Sequence, residues 1–469
     1  MTSQSTHLPD LERLSSKAAA KNRNLLIAVA LLIAGYFVLS FYQFDLGNIA
    51  RKWNPDRASM FLLDTYAHKD HVTMRWTKPG EIVVAFEGGH RHRYDPLPDW
   101  VTRLADSGTE IAFENNGRMV IYDDRVEIPT WPGLDSPLVF RIDENKKPYV
   151  VGYQGSNQGL PSWIRVTENK VEVRPSLYER LQVYGSKVEI HRYEIGWKYF
   201  WFDFDSPLRD TGFLDAVKLA FSSDRVDPDI SNWRLVVHEF LDNSIWFHGV
   251  VLFAMLETVL MAVIGTMLAC IVGLPLAFLA AANITPLRSI RFALRRVFDM
   301  LRGIDTLIWS LIFLRAFGPG LFTGIFAIAF TDAGTMGKLM SEAIENSESG
   351  QREGVRSTGA SRIAQHRFGI LPQILPVFVS QALYYLESNT RSAVIVGAMG
   401  AGGIGLQFLG ALQTGNDFEN VAYMAALVLL TVIAMDNFSS WLRKLLIQYD
   451  APESNNAAVQ ANPAQPVAA

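Results

Sequence analysis

Residues 341–376 read SEAIENSESGQREGVRSTGASRIAQHRFGILPQILP, a polar stretch that ends at Leu371-Pro372 in an apolar run. Glu353 and Arg356 stand three residues apart and share one face if the stretch is helical. Gly359 permits the left-handed turn that closes such a helix, and Pro372 suits the first turn of the next one. The segment 338–370 is too polar to insert into lipid and carries five Lys/Arg. The pattern therefore predicts a helix-turn-helix laid along a membrane surface, exposed on the cytoplasmic side, where it is suited to docking a partner.

Working outward, the flanking sequence supplies the membrane. An apolar stretch of roughly 20 residues crosses a bilayer core as a helix, and residues 24–44 (NLLIAVALLIAGYFVLSFYQF) contain no charge. Arg13, Lys17, Lys21 and Arg23 precede them, which places a tail of residues 1–23 in the cytoplasm. No small-residue cleavage site follows, so the run reads as an uncleaved anchor. Further spans are expected at 249–282, with an interfacial turn before a true start near Leu256, and at 304–317, 320–337, 371–399 and 421–442. The loop with Arg288, Arg291, Arg295 and Arg296 should face the cytoplasm, whereas 400–420 has no Lys or Arg and should face outward. Six crossings return residues 443 onward to the inside. Residues 447–469, rich in Ala, Asn, Gln and Pro, read as a disordered tail.

The charge distribution marks a second body. Of 43 Lys/Arg and 47 Asp/Glu in 469 residues, 25 and 31 fall within 45–245, a density more than twice that of the rest. The mean hydropathy of +0.11 therefore averages a membrane protein with a water-soluble domain. A net charge of −4 argues against nucleic acid as a partner, and one cysteine, Cys270, excludes an intrachain disulfide. Within 70–200, runs such as 81–86 (EIVVAF), 118–122 (RMVIY) and 187–191 (KVEIH) alternate or are β-branched between Gly, Pro, Asn and Asp clusters, so 45–245 is expected to be a mostly antiparallel β domain. His68 with His71, and His90 with His92, are candidate metal ligands; solvated turn histidines are the preferred reading, because nothing nearby completes a ligand set.

Ionisable residues within a span cost roughly 2.5–3.5 kcal/mol each and tend to face protein or water. Glu387 and Arg391 are four apart on one face of the fifth span, with Asn389 between them. They read either as an internal ion pair or as the lining of a path for an anion, and Arg302 with Asp305 forms a second candidate pair. Gly400-Ala-Gly-Gly-Ile-Gly405 fits a dinucleotide-binding pattern but follows a long apolar helix rather than a strand, so helix packing or an outer gate is the better reading. No G-x-x-x-x-G-K-[ST] sequence is present, and any ATP would be bound by another chain.

The spacing from Glu353 to Gly359 and on to Leu371-Pro372 resembles the coupling-loop signature of ABC importer permeases. With Glu257-Thr258, Gly265-Thr266, 275–281 (PLAFLAA), Gly350-Gln351, 358–361 (TGAS), 371–376 (LPQILP) and 400–405 (GAGGIG), the set resembles the phosphonate-type permeases over about 227–446 and the first span. Glu353-Gly354-Val355 departs from the small alanines usual in that signature, Gly369 departs from its common isoleucine, and about 65–225 looks inserted. The resemblance implies an α-helical polytopic membrane protein of about six spans with the type I ABC importer permease fold (246–446) and an inserted β-rich extracytoplasmic domain. It implies ATPase coupling through Glu342, Glu353, Arg356, Gly359, Ala360 and Pro372. Beside the resemblance, the charges within the spans make Glu387, Asn389, Arg391, Arg302 and Asp305 the candidate translocation path, and the glycine run makes Gly400, Gly402, Gly403 and Gly405 the candidate outer gate. Two copies of the permease, two ABC ATPase subunits and an extracytoplasmic phosphonate-binding protein are the implied assembly in the bacterial inner membrane. The permease has no bond chemistry and no cofactor of its own. A membrane-tethered ligand sensor is the rival reading, as is a permease for a different small solute.

Overall fold

The β-branched alternation of the middle third resolves into twelve strands in a computed structural model that describes residues 8–48, 53, 55–87, 92–132, 134, 136–153, 159–414 and 418–447. The strands are β1 (Ala67–Arg75), β2 (Ile82–Phe86), β3 (Val101–Arg103), β4 (Thr109–Ala112), β5 (Arg118–Ile121), β6 (Val126–Thr130), β7 (Leu138–Ile142), β8 (Pro148–Val150), β9 (Ile164–Val166), β10 (Lys170–Val173), β11 (Glu179–Tyr184) and β12 (Lys187–Ile195). They form two six-stranded antiparallel sheets, ordered β2-β1-β12-β11-β10-β9 and β3-β4-β5-β6-β7-β8. The second is a plain meander, the topology that short turns between neighbouring runs dictate. Alternation puts Val72, Met74, Leu181 and Ile190 of one sheet against Ile111, Met119, Ile128 and Phe140 of the other, all essentially fully buried. Between β4 and β5, Asn116 takes a left-handed φ of 62° and Gly117 passes so close to Trp131 that a Cβ would lie 2.5 Å from its ring.

The helices are α1 (Leu8–Gln43), α2 (Pro55–Thr65), α3 (Phe213–Ala220), α4 (Asn232–Leu241), α5 (His248–Ala280), α6 (Arg288–Gly303), α7 (Thr306–Phe317), α8 (Leu321–Glu345), α9 (Ser349–Ser357), α10 (Arg362–Gln365), α11 (Leu371–Val396), α12 (Gly403–Thr414) and α13 (Phe418–Ile447). Single π-helical turns at His366–Ile370 and Gly397–Ala401 flank α11. The chain divides into two compact units, Met1–Leu62 and Leu63–Ala469. In the first, Leu25, Leu32, Phe37 and Tyr42 of α1 are exposed, as lipid-facing side chains are. In the second, the sandwich is joined to the helical bundle through one apolar cluster holding Phe86, Phe204, Trp246, Met255, Ile404 and Tyr423.

Among the described residues four helical segments are long and apolar enough to cross a membrane: Lys21–Gln43, His248–Ala280, Arg362–Ala401 and Phe418–Leu446. The span expected at 304–317 is the twelve-residue α7, about 18 Å long; α6 leads into it, and the two together run back along α8, with Phe298 at Gly337, Leu301 at Gly334 and Trp309 at Phe330. The span expected at 320–337 belongs to α8, whose 25 residues include the charged Asp332 and Lys338. The turn around Gly318-Pro319-Gly320 folds α7 back on α8, with Trp309 on Phe330 and Phe317 on Phe326. Two further expectations change. α5 is one unbroken helix of 33 residues, and its break comes before it, at Phe247 with φ 52°. The arginine-rich loop is α6, an amphipathic helix whose Phe298 is fully buried. The expected tail lies, from residue 448 on, outside the described residues, as do residues 1–7 and His90.

Candidate functional site

The polar elbow forms as a short exposed helix, α9, which Gly359 ends with a left-handed φ of 79°. Ser361 then caps α10 by accepting the Ala364 N–H, and Pro372 lies in the first turn of α11. Glu353 and Arg356 are exposed on α9, while Ala360 contributes its carbonyl, which accepts from Gln365 Nε2 at 2.9 Å. Glu342 is exposed near the end of α8, one helix earlier.

Contacts that the sequence did not single out hold α9 in place. Its Arg352 passes over Gly369, where a Cβ would meet the arginine Cα at 2.9 Å. A larger residue at 369 would force the two segments apart, which accounts for glycine there. Arg352 Nη1 donates to the Asn283 carbonyl at 3.2 Å, tying the elbow to the turn after α5. Gln373 accepts the Glu348 N–H at 2.9 Å and donates back to the Glu348 carbonyl at 3.3 Å. The end of α8 is clamped in turn, since Glu345 pairs with Arg295 and accepts the Ala282 N–H. A displacement of α9 would thus be felt in α5, α6, α8 and α11 together. The signal in sequence was slight: one glutamine after Leu371-Pro372 and one arginine before Glu353.

At the other end of α11 the glycine run forms a sharp backbone turn. Gly400, Gly402 and Gly403 have φ of 111°, 90° and 68°, a region that side-chain-bearing residues rarely occupy. The Gly403 N–H donates to Glu257 Oε2 at 3.1 Å and the Ile404 N–H to Thr258 Oγ1 at 2.9 Å. Gly405 approaches α11 so closely that a Cβ would lie 1.9 Å from the Val394 carbonyl oxygen. The motif therefore packs a re-entering backbone against α5.

The ionisable residues between these ends divide differently from expectation. Glu387 and Arg391 do pair, at 2.9 Å, on a half-exposed face of α11. Asn389 points away from them into the bundle, where its amide donates to Thr266 Oγ1 at 2.8 Å and to the buried carboxylate of Asp332. Asp332 was legible as the lone acid of the fourth expected span, but no pattern pointed to its partner Asn389 on α11. The proposed Arg302–Asp305 pair is not formed. Arg302 instead bonds Asp299 at 3.0 Å, and Asp299 also accepts from Lys338 at 2.9 Å. Asp305 caps α7 through the Leu307 N–H at 2.8 Å, since an acceptor just ahead of a helix is drawn to its free amides.

The candidate metal ligands separate as well. His68 stacks on Phe86 and lies 3.2 Å from Glu194, while His71, three residues along the same strand, faces the opposite side and meets His191 at 4.1 Å between ring centroids. His92 sits 3.3 Å from Ser244 Oγ. No group of three or more His, Cys, Asp or Glu suited to a metal occurs among the described residues.

Residues 273–448, which include the elbow, α11 and the glycine turn, match the family described as binding-protein-dependent transport system inner membrane component. Three relatives share this region. The chain is 36% identical over 179 residues to the phosphate-import permease protein PhnE of Mycolicibacterium smegmatis, covering 38% of this chain and 33% of that one. It is 31% identical to the phosphite transport system permease protein PtxC of Stutzerimonas stutzeri, covering 50% of this chain and 82% of that one. It is 41% identical to the putative cryptic phosphonate transport system permease protein PhnE2 of Escherichia coli, covering 26% of this chain and 98% of that one. The chain thus spans about one third of the length of the mycobacterial relative and most of the other two.

Proposed function

The chain belongs to the phosphonate-type ABC importer permeases, within the binding-protein-dependent inner membrane component family, and from that premise we propose that it carries phosphonate or a related phosphorus oxyanion into the cell, driven by ATP. Two copies would assemble with two cytoplasmic ATPase subunits and an extracytoplasmic binding protein, the permease itself holding no cofactor. The observation that carries this reading is α9, an exposed helix fastened through Arg352, Gln373 and Glu348 to the membrane helices on either side. An ATPase gripping Glu353 and Arg356 on closing would move α9, with Gly359 as its hinge, and rock the bundle from outward- to inward-open by alternating access. Glu342, Ala360 and Pro372 would complete the coupling surface.

The oxyanion preference rests on the relatives' names and on Arg391. Its guanidinium, balanced by Glu387, would attract an anion without trapping it, while Gly400, Gly402, Gly403 and Gly405 would form the outer gate. In this role Arg302 and Asp305 lose their place as a pair, and Asn389 supports the path by orienting α11 against α5 and α8.

Co-purification with the ATPase subunits and uptake in vesicles test the proposal. Glu353→Arg should abolish association or separate ATP hydrolysis from uptake; unchanged association and uptake would remove α9 as the coupling element. Arg391→Gln should slow phosphonate uptake several-fold with assembly intact. Tight coupling with no phosphorus oxyanion transported would leave a permease for a different small solute.

A further inference from the structure

Two short helices precede α5, and each leaves an apolar stripe uncovered. In α3, Ala216 is buried, whereas Phe213, Leu214, Val217 and, at its C-cap, Phe221 are exposed, the last at 88%. At 3.6 residues per turn these four side chains fall within one arc of about 100°. Asp215 and Lys218, paired with each other at 2.9 Å, occupy the next arc. In α4, Asn232 and Leu235 are buried, while Trp233, Val237 and Leu241 form an exposed row at i, i+4, i+8, bordered by the exposed Arg234 and His238. Each helix therefore has a core face, a charged face and a bare apolar face.

Where these helices are fastened identifies what covers them. Phe240 of α4 stacks on His248 in the first turn of α5, with ring centroids 4.1 Å apart and planes 12° apart. Leu241 comes so near Gly249 that a Cβ on the glycine would meet its carbonyl oxygen at 2.8 Å. Trp201 links the two helices, 4.6 Å from Phe213 and 6.1 Å from Phe240. The 33 residues of α5 run about 50 Å, longer than a hydrocarbon core of about 30 Å, so an end of the helix stands in the headgroup region. Trp201 and Trp233 stand exposed beside this end, and Trp and Tyr are the residues that mark a membrane–water interface. The exposed Val250 and Phe253 of α5 continue the apolar surface from the helix pair onto the span itself.

We propose that α3 and α4 lie in the membrane–water interface, with Phe213, Leu214, Val217, Phe221, Trp233, Val237 and Leu241 set into the boundary between headgroups and acyl chains where α5 enters the bilayer. The sandwich would then be held at the membrane by an interfacial helix pair as well as by the spans. This holds whichever solute the permease carries.

The chain's single cysteine makes the test direct. In the full-length Cys270→Ala protein, single cysteines replacing Leu214, Phe221 or Val237, and Asp215 or His238 as the charged-face controls, are spin-labelled and reconstituted into phosphatidylcholine vesicles. Relaxation by oxygen, which partitions into lipid, is compared with relaxation by a water-soluble nickel chelate. Labels on the bare stripes should be relaxed several-fold more by oxygen than by nickel, and the ratio should reverse on the charged faces. Stripe labels reached more by nickel would show a water-exposed surface and overturn the proposal. Labels shielded from both reagents would show cover by protein, a second copy included, and would overturn it equally.

Discussion

Gly354 and Gly369 both depart from the residues usual in the coupling signature, and the structure separates them. Nothing lies within 4 Å of a Cβ at Gly354, whereas one at Gly369 would meet backbone. Gly354→Ala should stabilise α9 by up to about 1 kcal/mol through helix propensity. Gly369→Ala should cost about 1–3 kcal/mol, because Arg352 must move. Thermal unfolding of the purified protein checks both signs. The buried polar group around Asp332 allows a similar contrast. Asn389→Leu removes an amide that Asp332 accepts from, and leaving a buried carboxylate short of a donor should cost about 2–4 kcal/mol. Adding Asp332→Leu to that variant should recover part of the loss, since no unpaired charge then remains buried. A double variant less stable than the single one would argue that Asp332 has a further partner.

At the scale of elements, β1 and β12 place His71 directly opposite His191. Burial first, and then the charges of Lys69, Lys187 and Arg180, push His71 down to about 3; burial and the same neighbours hold His191 well below 6.5. The unfolded imidazole takes up its proton as pH falls through about 6.5, while the folded one does not. Unfolding therefore binds protons, and stability contributed by His71 is present at neutral pH and lost below 6.5, on the order of 1 kcal/mol per pH unit. Asp70 and Glu179, raised by burial, act in the opposite sense in the carboxylate range. The melting temperature should consequently fall more steeply between pH 6.5 and 5 in the parent protein than in His71→Gln; equal slopes would count against it. The strands around 81–86, 118–122 and 187–191 were readable because each alternates over a few residues. The facing of His71 and His191 was not, because it depends on a register set between segments 120 residues apart in sequence.

For the whole molecule, the orientation remains tied to charge bias and to the number of crossings. α7 folds back on α8, and α5 and α8 run side by side in the same direction, with Gly265 at Ile328 and Gly273 at Met336, so α9 emerges from α8 on the side where α5 ends. Reporter tags near residue 150 and after residue 447 should read outside and inside, respectively; a cytoplasmic signal from residue 150 would reverse the reading. The amino-acid sequence by itself determined that this is a membrane protein with a β-rich body and a polar elbow, because hydropathy, alternation and the spacing of Glu353, Gly359 and Pro372 are local properties of the chain. It also marked Glu387 and Arg391 as partners, which one helical turn suffices to bring together. Only the tertiary structure decided that α6 and α7 together run back along α8, and that Arg302 belongs with Asp299 rather than Asp305. It also decided that Asn389 turns inward to Asp332, and that glycine at 369 admits Arg352. Each of these is a contact whose partner, or whose space, is set by how distant segments pack, and no local pattern of residues encodes that distance.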